Sequence, residues 1–498
     1  MIIWGISANS HDAAITVVDN NTIIFASQSE RYSKKKNDRH LHADLIADAR
    51  KYGEPELIVW YEKPVLKTLR QLFSGQGWRW NENNVKKYLK GYGIVAPIKY
   101  VSHHKSHAAG GYFTSPFKDA AVLVIDAIGE FDTTTIWHGK QHSLKRKMTV
   151  AYPHSLGLWY SAMTQRIGLK PNEEEYILMG MAAYGNPTKY SLDILHDFFK
   201  TEENIHPNEM FPEDTLLRLK HNLHRGCSWW KPELKTKKQY YDIAASTQFV
   251  YELYFHDLLS RAQQITQSKN LVLGGGCALN CVANEIALCY FDNVWIMPNP
   301  GDAGNSLGAV AAYTNQFLHW EHPYLGHEIT GGYPVEAALQ ELLTHKLVGV
   351  ASGKAEFGPR ALGNRSLLAD PRGPDMKDKV NKIKKRQKFR PFAPVILEER
   401  ASEYFYMPTE KTPYMQYTAL CKNPEEFPAI VHADGTSRVQ TVSEKDNPGL
   451  YQLLKRWEQE TGCPMLLNTS LNIKGQPIVN DEVDAKKFQK KYKVKVCV

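Results

Sequence analysis

Short apolar runs broken by polar corners open the chain. IIWGIS (residues 2–7) gives way to a polar corner at Ala8–Asp12, then to AAITVV and, after an Asn-rich turn, to IIFAS. Alternation bounded by turn residues predicts three strands, the last two as a hairpin. The pattern returns about 115 residues later. AVLVI runs into Asp126, a Gly-Glu corner follows, and TTTIWHG resumes. Two strand–acidic corner–strand units predict a duplicated α/β core. Helices are predicted over His103–Tyr112 and Leu156–Gly185, and a long amphipathic one over Tyr240–Gln267. LVLGGGCALN and VWIMPNPGDAGNSLGAVAAY each carry an apolar strand into glycine-rich turns, a device that can cradle phosphate. Tyr313–Pro334, dense in aromatics, His, Gly and Pro, reads as a linker, with a compact module from Val335 onward.

Composition narrows the class. With 498 residues, 43% hydrophobic and 23% charged, the chain fits a soluble multidomain protein and excludes disordered or fibrous classes. No apolar run approaches the length of a membrane span. The opening MIIWGIS has no basic leader, so no secretory signal is predicted. Seven cysteines without a CxxC pair argue against disulfides or thiolate zinc and for a cytoplasmic setting. The net charge of +8 is uneven: residues 1–340 hold 34 basic and 34 acidic groups, so the excess lies in the last third, densest at Lys377–Arg390. A second basic stretch, Arg218–Lys238, contains Trp229–Trp230. Such stretches can be solvated helix faces or can hold phosphate or nucleic acid.

Several motifs carry chemistry. In SHHKSHAAGG, His103 and His107 are spaced i, i+4, so one helix face presents two imidazoles suited to a divalent metal with a carboxylate from elsewhere. The alternative is a pair of hydrogen-bonded histidines. Gly274, Gly275 and Gly276 with Asn280 allow close backbone approach to a phosphate or ribose, or simply form a tight turn. Asp302 stands at a helix start, as an N-cap or a metal ligand. Arg360 and Arg365, five apart in a Gly-Pro-rich loop, suit bidentate phosphate or carboxylate binding, unless backbone carbonyls take their donors. Lys388 and Arg390 precede two prolines. HADGTSRVQTV adds Arg438, and LLNTSLNIKGQPIV places Ser470 at a strand end, where hydroxyl and amide groups can hold an oxyanion.

Together SHHKSHAA, VLVIDAIGE, LGGGCALN, NPGDAGNSLGA, EFGPRALGNRSLLADPR, FRPFAPVI, HADGTSRVQTV and LLNTSLNIKGQPIV resemble the O-carbamoyltransferase family that includes nodulation protein U and the cephamycin and tobramycin carbamoyltransferases. The resemblance spans nearly the whole chain. It implies an α/β protein with a duplicated actin/hexokinase-like (ASKHA, Kae-type) domain over residues 1–334 and a YrdC-like α/β domain over 335–498. It implies that carbamoyl phosphate and ATP form carbamoyl adenylate in the second domain, with pyrophosphate released, and that the first transfers the carbamoyl group to an acceptor hydroxyl. By the same resemblance, His103, His107 and Asp302 are metal ligands, with Asp126 as a further metal carboxylate and catalytic group. The metal implied is Fe2+, with Mg2+ accompanying ATP. Gly274, Gly275, Gly276 and Asn280 belong to the adenylate pocket. Arg360, also catalytic, joins Arg365, Lys388, Arg390, Arg438 and Ser470 around carbamoyl phosphate and ATP. His11 is the candidate general base, a task suited to a group titrating near neutrality.

The acceptor stays open between a sugar or antibiotic scaffold and, as the alternative, the hydroxyl of 5-hydroxymethylcytosine or a related base in DNA. Trp78–Arg79–Trp80 and Lys86–Lys87–Tyr88 interleave aromatics and bases in a way that suits stacking and phosphate contact. Rival classes are a kinase or ATPase of the same superfold, against which the arginine-rich motifs argue, and a binding protein without catalysis, which would be expected to lack some of the ligands above.

Overall fold

The computed structural model describes residues 1–200 and 217–498. They divide into two compact units: residues 57–318 form one, and residues 1–56 with 319–498 form the other.

The uninterrupted unit is built on a five-stranded sheet. Asp119–Gly129, Asp132–Lys140 and Ser143–Ala151 form an antiparallel meander. Asn270–Gly274 and Asn293–Ile296 extend it in parallel from the Asp119–Gly129 edge. Three antiparallel strands followed by two parallel ones is the order expected of one half of the duplicated core. Ala120–Ile125 is buried without a break. Such a run fits a strand covered on both faces, and the helices His103–Tyr112, Leu156–Arg166 and Lys237–Thr266 all pack on it. The last has a complete capping box, Thr236 with Gln239, that fixes its start. The helix predicted over Leu156–Gly185 is in fact two, Leu156–Arg166 and Glu175–Ala182. Gly168 and Asn172, on either side of Pro171, have φ of +79° and +60°, a backbone that no α-helix continues through. The same unit holds the parallel pair Leu57–Trp60 and Ile98–Tyr100.

The second unit begins with the expected strands, Ile2–Ser7, Ala14–Asp19 and Thr22–Gln28, in an antiparallel meander. Its C-terminal part has a six-stranded mixed sheet. Period-2 alternation sorts this sheet's side chains. Val348, Val350, Leu368, Val395 and Leu466 share one core with Leu339, Leu342, Leu450, Leu454 and Trp457 of the helices Val335–His345 and Pro448–Thr461. Leu347, Ala351, Leu367, Ile396, Met465 and Leu467 point into the other. The Tyr313–Pro334 stretch, read as a linker, contains a strand, Tyr324–Ile329, paired antiparallel with Gly353–Glu356 around a bulge. Its aromatic and His content masked the alternation. No helix among the described residues is long and apolar enough to cross a membrane.

Candidate metal centre and anion site

The His103–Tyr112 helix brings His103 and His107 to one face, with ring centroids 4.7 Å apart. Asp126 comes from the central strand. Asp302 comes from the single turn Asp302–Gly304 that precedes the helix Asn305–Thr314. All four are buried, and one donor atom from each lies within 4.8 Å of the others. His103 Nε2 is 3.2 Å from Asp126 Oδ2 and 3.3 Å from Asp302 Oδ1. His107 Nε2 is 3.3 Å from Asp302 Oδ1 and 3.0 Å from His103 Nε2. Donors around one ion at bonds of ~2.1 Å are separated by roughly 3.0–3.4 Å, so these spacings are those of a coordination shell.

The surroundings orient the donors. His107 Nδ1 lies 3.0 Å from the Pro300 carbonyl; donating its proton there leaves Nε2 as an acceptor, which here faces Asn305 Nδ2 at 2.9 Å and could instead meet a metal. Asp126 Oδ1 accepts from the Gly276 amide at 3.0 Å, which turns Oδ2 toward the histidines. Burial opposes charge on His103, but the Asp302 and Asp126 carboxylates outweigh it and hold its pKa well above the usual histidine range. The same field would hold a divalent cation, and two buried carboxylates beside two imidazoles suit a first-row divalent metal. Glu130 closes the rear: its carboxylate accepts from the Lys63 amide at 2.6 Å and the His103 amide at 3.2 Å, and burial pushes its pKa up to about 7.

Two glycines make the centre possible. A Cβ at Gly129, in the Asp119–Lys140 hairpin, would fall 2.2 Å from the His103 ring. Gly275 has φ +84°, and a Cβ there would fall 2.2 Å from the Ile125 carbonyl. Two of the glycines expected in the adenylate pocket, Gly275 and Gly276, position the candidate metal group. Gly276 donates to Asp126, and Gly275 donates to Pro300, two residues before Asp302. Asn280 exchanges amide hydrogen bonds with Gln248 at 3.0 and 3.2 Å.

In the other unit, His11 is exposed between the first two strands, with Nδ1 2.9 Å from Asp12 Oδ2. Arg365 is fully buried, and its guanidinium donates to the carbonyls of Asn480, Ser352, Asn364, His327 and Gly353. Of the readings open in the sequence, this geometry gives the one in which carbonyls take its donors. Arg365 orders the Phe357–Asn364 loop together with Glu356, whose Oε1 accepts from the amides of Leu362, Asn364 and Arg365. Arg360, on that loop, is half-buried. Lys388 is exposed and 3.7 Å from Asp378. Arg390 and Arg438 are half-buried, and Arg438 Nε has no partner among the described residues.

Sequence reasoning missed Lys384. It is buried, and Nζ donates to the Ser470 carbonyl, to Asn472 Oδ1 at 2.8 Å and to the Asn472 carbonyl at 3.1 Å, with Ser470 Oγ at 3.2 Å. Burial, with Arg386 and Arg390 nearby, drives its pKa well below the usual lysine range. A signal was present: Met376, Val380 and Lys384 recur every fourth residue, so Lys384 lies on the apolar stripe of the Met376–Ile383 helix. A buried amine beside a hydroxyl and an amide at a strand end can receive an oxyanion.

Comparison with known proteins shows the family. The family model for the carbamoyltransferase N-terminus matches residues 61–311, and that for the carbamoyltransferase C-terminus matches residues 339–498. The chain is 36% identical to uncharacterized protein sll1178 of Synechocystis over 97% of its length and 93% of that protein's. It is 31% identical to nodulation protein NolNO of Sinorhizobium fredii, covering 95% of this chain and 76% of that one. It is 26% identical to the 3'-hydroxymethylcephem-O-carbamoyltransferase of Amycolatopsis lactamdurans, covering 94% and 93%. With family models matched across both halves and relatives above 30% identity covered over most of their length, this chain belongs to the carbamoyltransferase family of enzymes.

Proposed function

We propose that the protein is an ATP-dependent O-carbamoyltransferase working in two half-reactions, with residues 335–498 as a YrdC-like adenylating domain and residues 1–334 as the transfer domain. In the first, carbamoyl phosphate is hydrolysed to carbamate and orthophosphate. A carbamate oxygen then attacks the α-phosphorus of ATP, and the P–O bond to the leaving pyrophosphate breaks. Lys384, Ser470 and Asn472, with Arg360, Arg390 and Arg438, hold the phosphate oxygens. In the second, the acceptor hydroxyl oxygen attacks the carbamoyl carbon, AMP leaves, and His11, steadied by Asp12, takes the hydroxyl proton. His103, His107, Asp126 and Asp302 would hold a divalent cation, Fe2+ by the family's pattern, which when bound neutralises phosphate charge and polarises the carbonyl. Mg2+ would accompany ATP.

The observation that supports this most strongly is that each compact unit contains its own polar cluster, a buried His2Asp2 group in one and buried Lys384 bonded to half-buried Ser470 and Asn472 in the other. The acceptor proposed is a hydroxyl on a sugar or antibiotic-type scaffold. The DNA alternative draws support from the exposed Trp78 and Trp229, and mass spectrometry of hydroxymethylcytosine-containing DNA after incubation tests it by a gain of one carbamoyl group. The central test is pyrophosphate release without acceptor. It should require carbamoyl phosphate; ATP turnover at the same rate without carbamoyl phosphate would overturn the reading in favour of a kinase or ATPase.

A further inference from the structure

The helix Pro64–Phe73 is inverted. Lys67, Thr68, Arg70 and Gln71 are buried, while Val65, Leu66, Leu69, Leu72 and Phe73 are exposed. A surface helix ordinarily does the reverse. Most of the buried groups are matched. Lys67 Nζ is 2.5 Å from Glu62, and Asn83 donates to Thr68 and Gln71 at 2.8 and 2.7 Å. Arg70 is the exception: it is 8% exposed, and its Nε has no hydrogen-bond partner among the described residues.

Glu62, whose charge acts on Arg70, is held by Lys67. Burial lowers the Arg70 pKa against the pull of Glu62, Tyr152 and Tyr61, and burial, with Arg70 and Arg225 adding to it, lowers that of His224. Among the described residues no carboxylate bonds the Arg70 Nε, where a buried guanidinium usually has an anion beside it.

Tyr61 and Tyr152, both close enough to act on this charge, belong to a set of aromatic contacts near the metal group. The Tyr61 ring lies 5.4 Å from that of His103. Phe131 follows Glu130 at the tip of the hairpin that closes on His103. Phe73, 72% exposed, has its ring centroid 6.4 Å from both Phe131 and Tyr152, and Tyr152 is 6.1 Å from His224. The wall therefore runs outward from the reacting centre.

We infer that Phe73, Phe131 and Tyr152 form the acceptor subsite, and that Arg70 selects acceptors carrying, besides the hydroxyl, a ring and an anionic group, either carboxylate or phosphate. This rests on the carbamoyl-transfer reading for the location of chemistry, but its primary readout is binding. Calorimetric titration of the full-length protein with 4-(hydroxymethyl)benzoate, 4-(hydroxymethyl)phenyl phosphate and the neutral 4-(hydroxymethyl)benzamide tests it. At least one anion should bind roughly tenfold or more tighter than the amide, and which one wins tells a carboxylate acceptor from a phosphate acceptor. Arg70→Gln should reduce that ratio to about one, Arg70→Lys should keep part of it, and Phe73→Ala, at an exposed position, should weaken all three ligands about equally. Equal binding of anions and amide by the wild type, or a preference that survives Arg70→Gln in a folded variant, overturns the inference. If the preference is present and tracks Arg70, yet no acceptor is carbamoylated and pyrophosphate release is absent, the carbamoyl-transfer reading fails while the subsite stands.

Discussion

At Lys384 one amine does several jobs: it crosslinks the turn after Ser470 and is the most deeply desolvated cation of the basic stretch. Lys384→Met should lower carbamoyl-phosphate-dependent pyrophosphate release by roughly a hundredfold or more, measured with ATP saturating and no acceptor present. Asp48 gives a pH prediction. Burial would raise its pKa, but hydrogen bonds from His327 at 2.6 Å, Lys51 at 2.6 Å and Tyr32 at 2.9 Å outweigh it and bring the carboxyl down to about 2. A folded-state pKa below the unfolded value contributes stability that is full above about pH 4 and lost as the pH falls toward 2. Asp48→Asn should therefore lose about 2 kcal/mol near pH 6 and nothing near pH 2, read as a melting-temperature difference that closes on acidification. In the candidate metal group, His103 and His107 were legible from their i, i+4 spacing, whereas Asp126 and Asp302 were joined to them only through the family resemblance, since nothing local links them to the histidines. Glu130 and Arg70 were not legible, since what distinguishes them is burial and no local repeat reveals it; Lys384 was overlooked although the Met376, Val380, Lys384 repeat pointed to it.

Elements were read best where the period was clean. The three opening strands, the Asp119–Lys140 hairpin and the helix over residues 237–266 all formed where alternation or a 3.6-residue repeat ran long. The single helix over Leu156–Gly185 failed at Pro171, and the Tyr313–Pro334 linker failed because a six-residue strand with one bulge gives too few repeats to count. The Gly-Glu corner was read as a turn, but its need for glycine comes from the His103 ring, which no local pattern reveals. Gly129→Ala should cost about 2 kcal/mol or more by overpacking. It should also abolish any rise in melting temperature that added Fe2+ or Mn2+ gives the wild type, measured by thermal scans with and without the metal and with EDTA as control.

On the scale of the whole molecule, the excess positive charge falls in the residues that handle phosphate in the proposed scheme, and residues 1–340 are neutral. The two half-reactions should therefore separate by mutation. His103→Ala or Asp302→Ala should cut carbamoyl transfer by at least roughly a hundredfold and leave pyrophosphate release within about twofold. Arg360→Ala should stop pyrophosphate release. Loss of both activities in His103→Ala would mean the chemistry is not divided. One structural feature bears on how the protein is made. The unit containing Lys384 needs the first 56 residues as well as the last 180, since buried Arg31 donates to the Gly358 carbonyl and His327 bonds Asp48. The ribosome delivers those two pieces far apart in time, with residues 57–318 emerging between them. The contacts those two pieces share can form only when synthesis is nearly finished, so slow translation or scarce chaperone should lower the yield of this unit before that of the other.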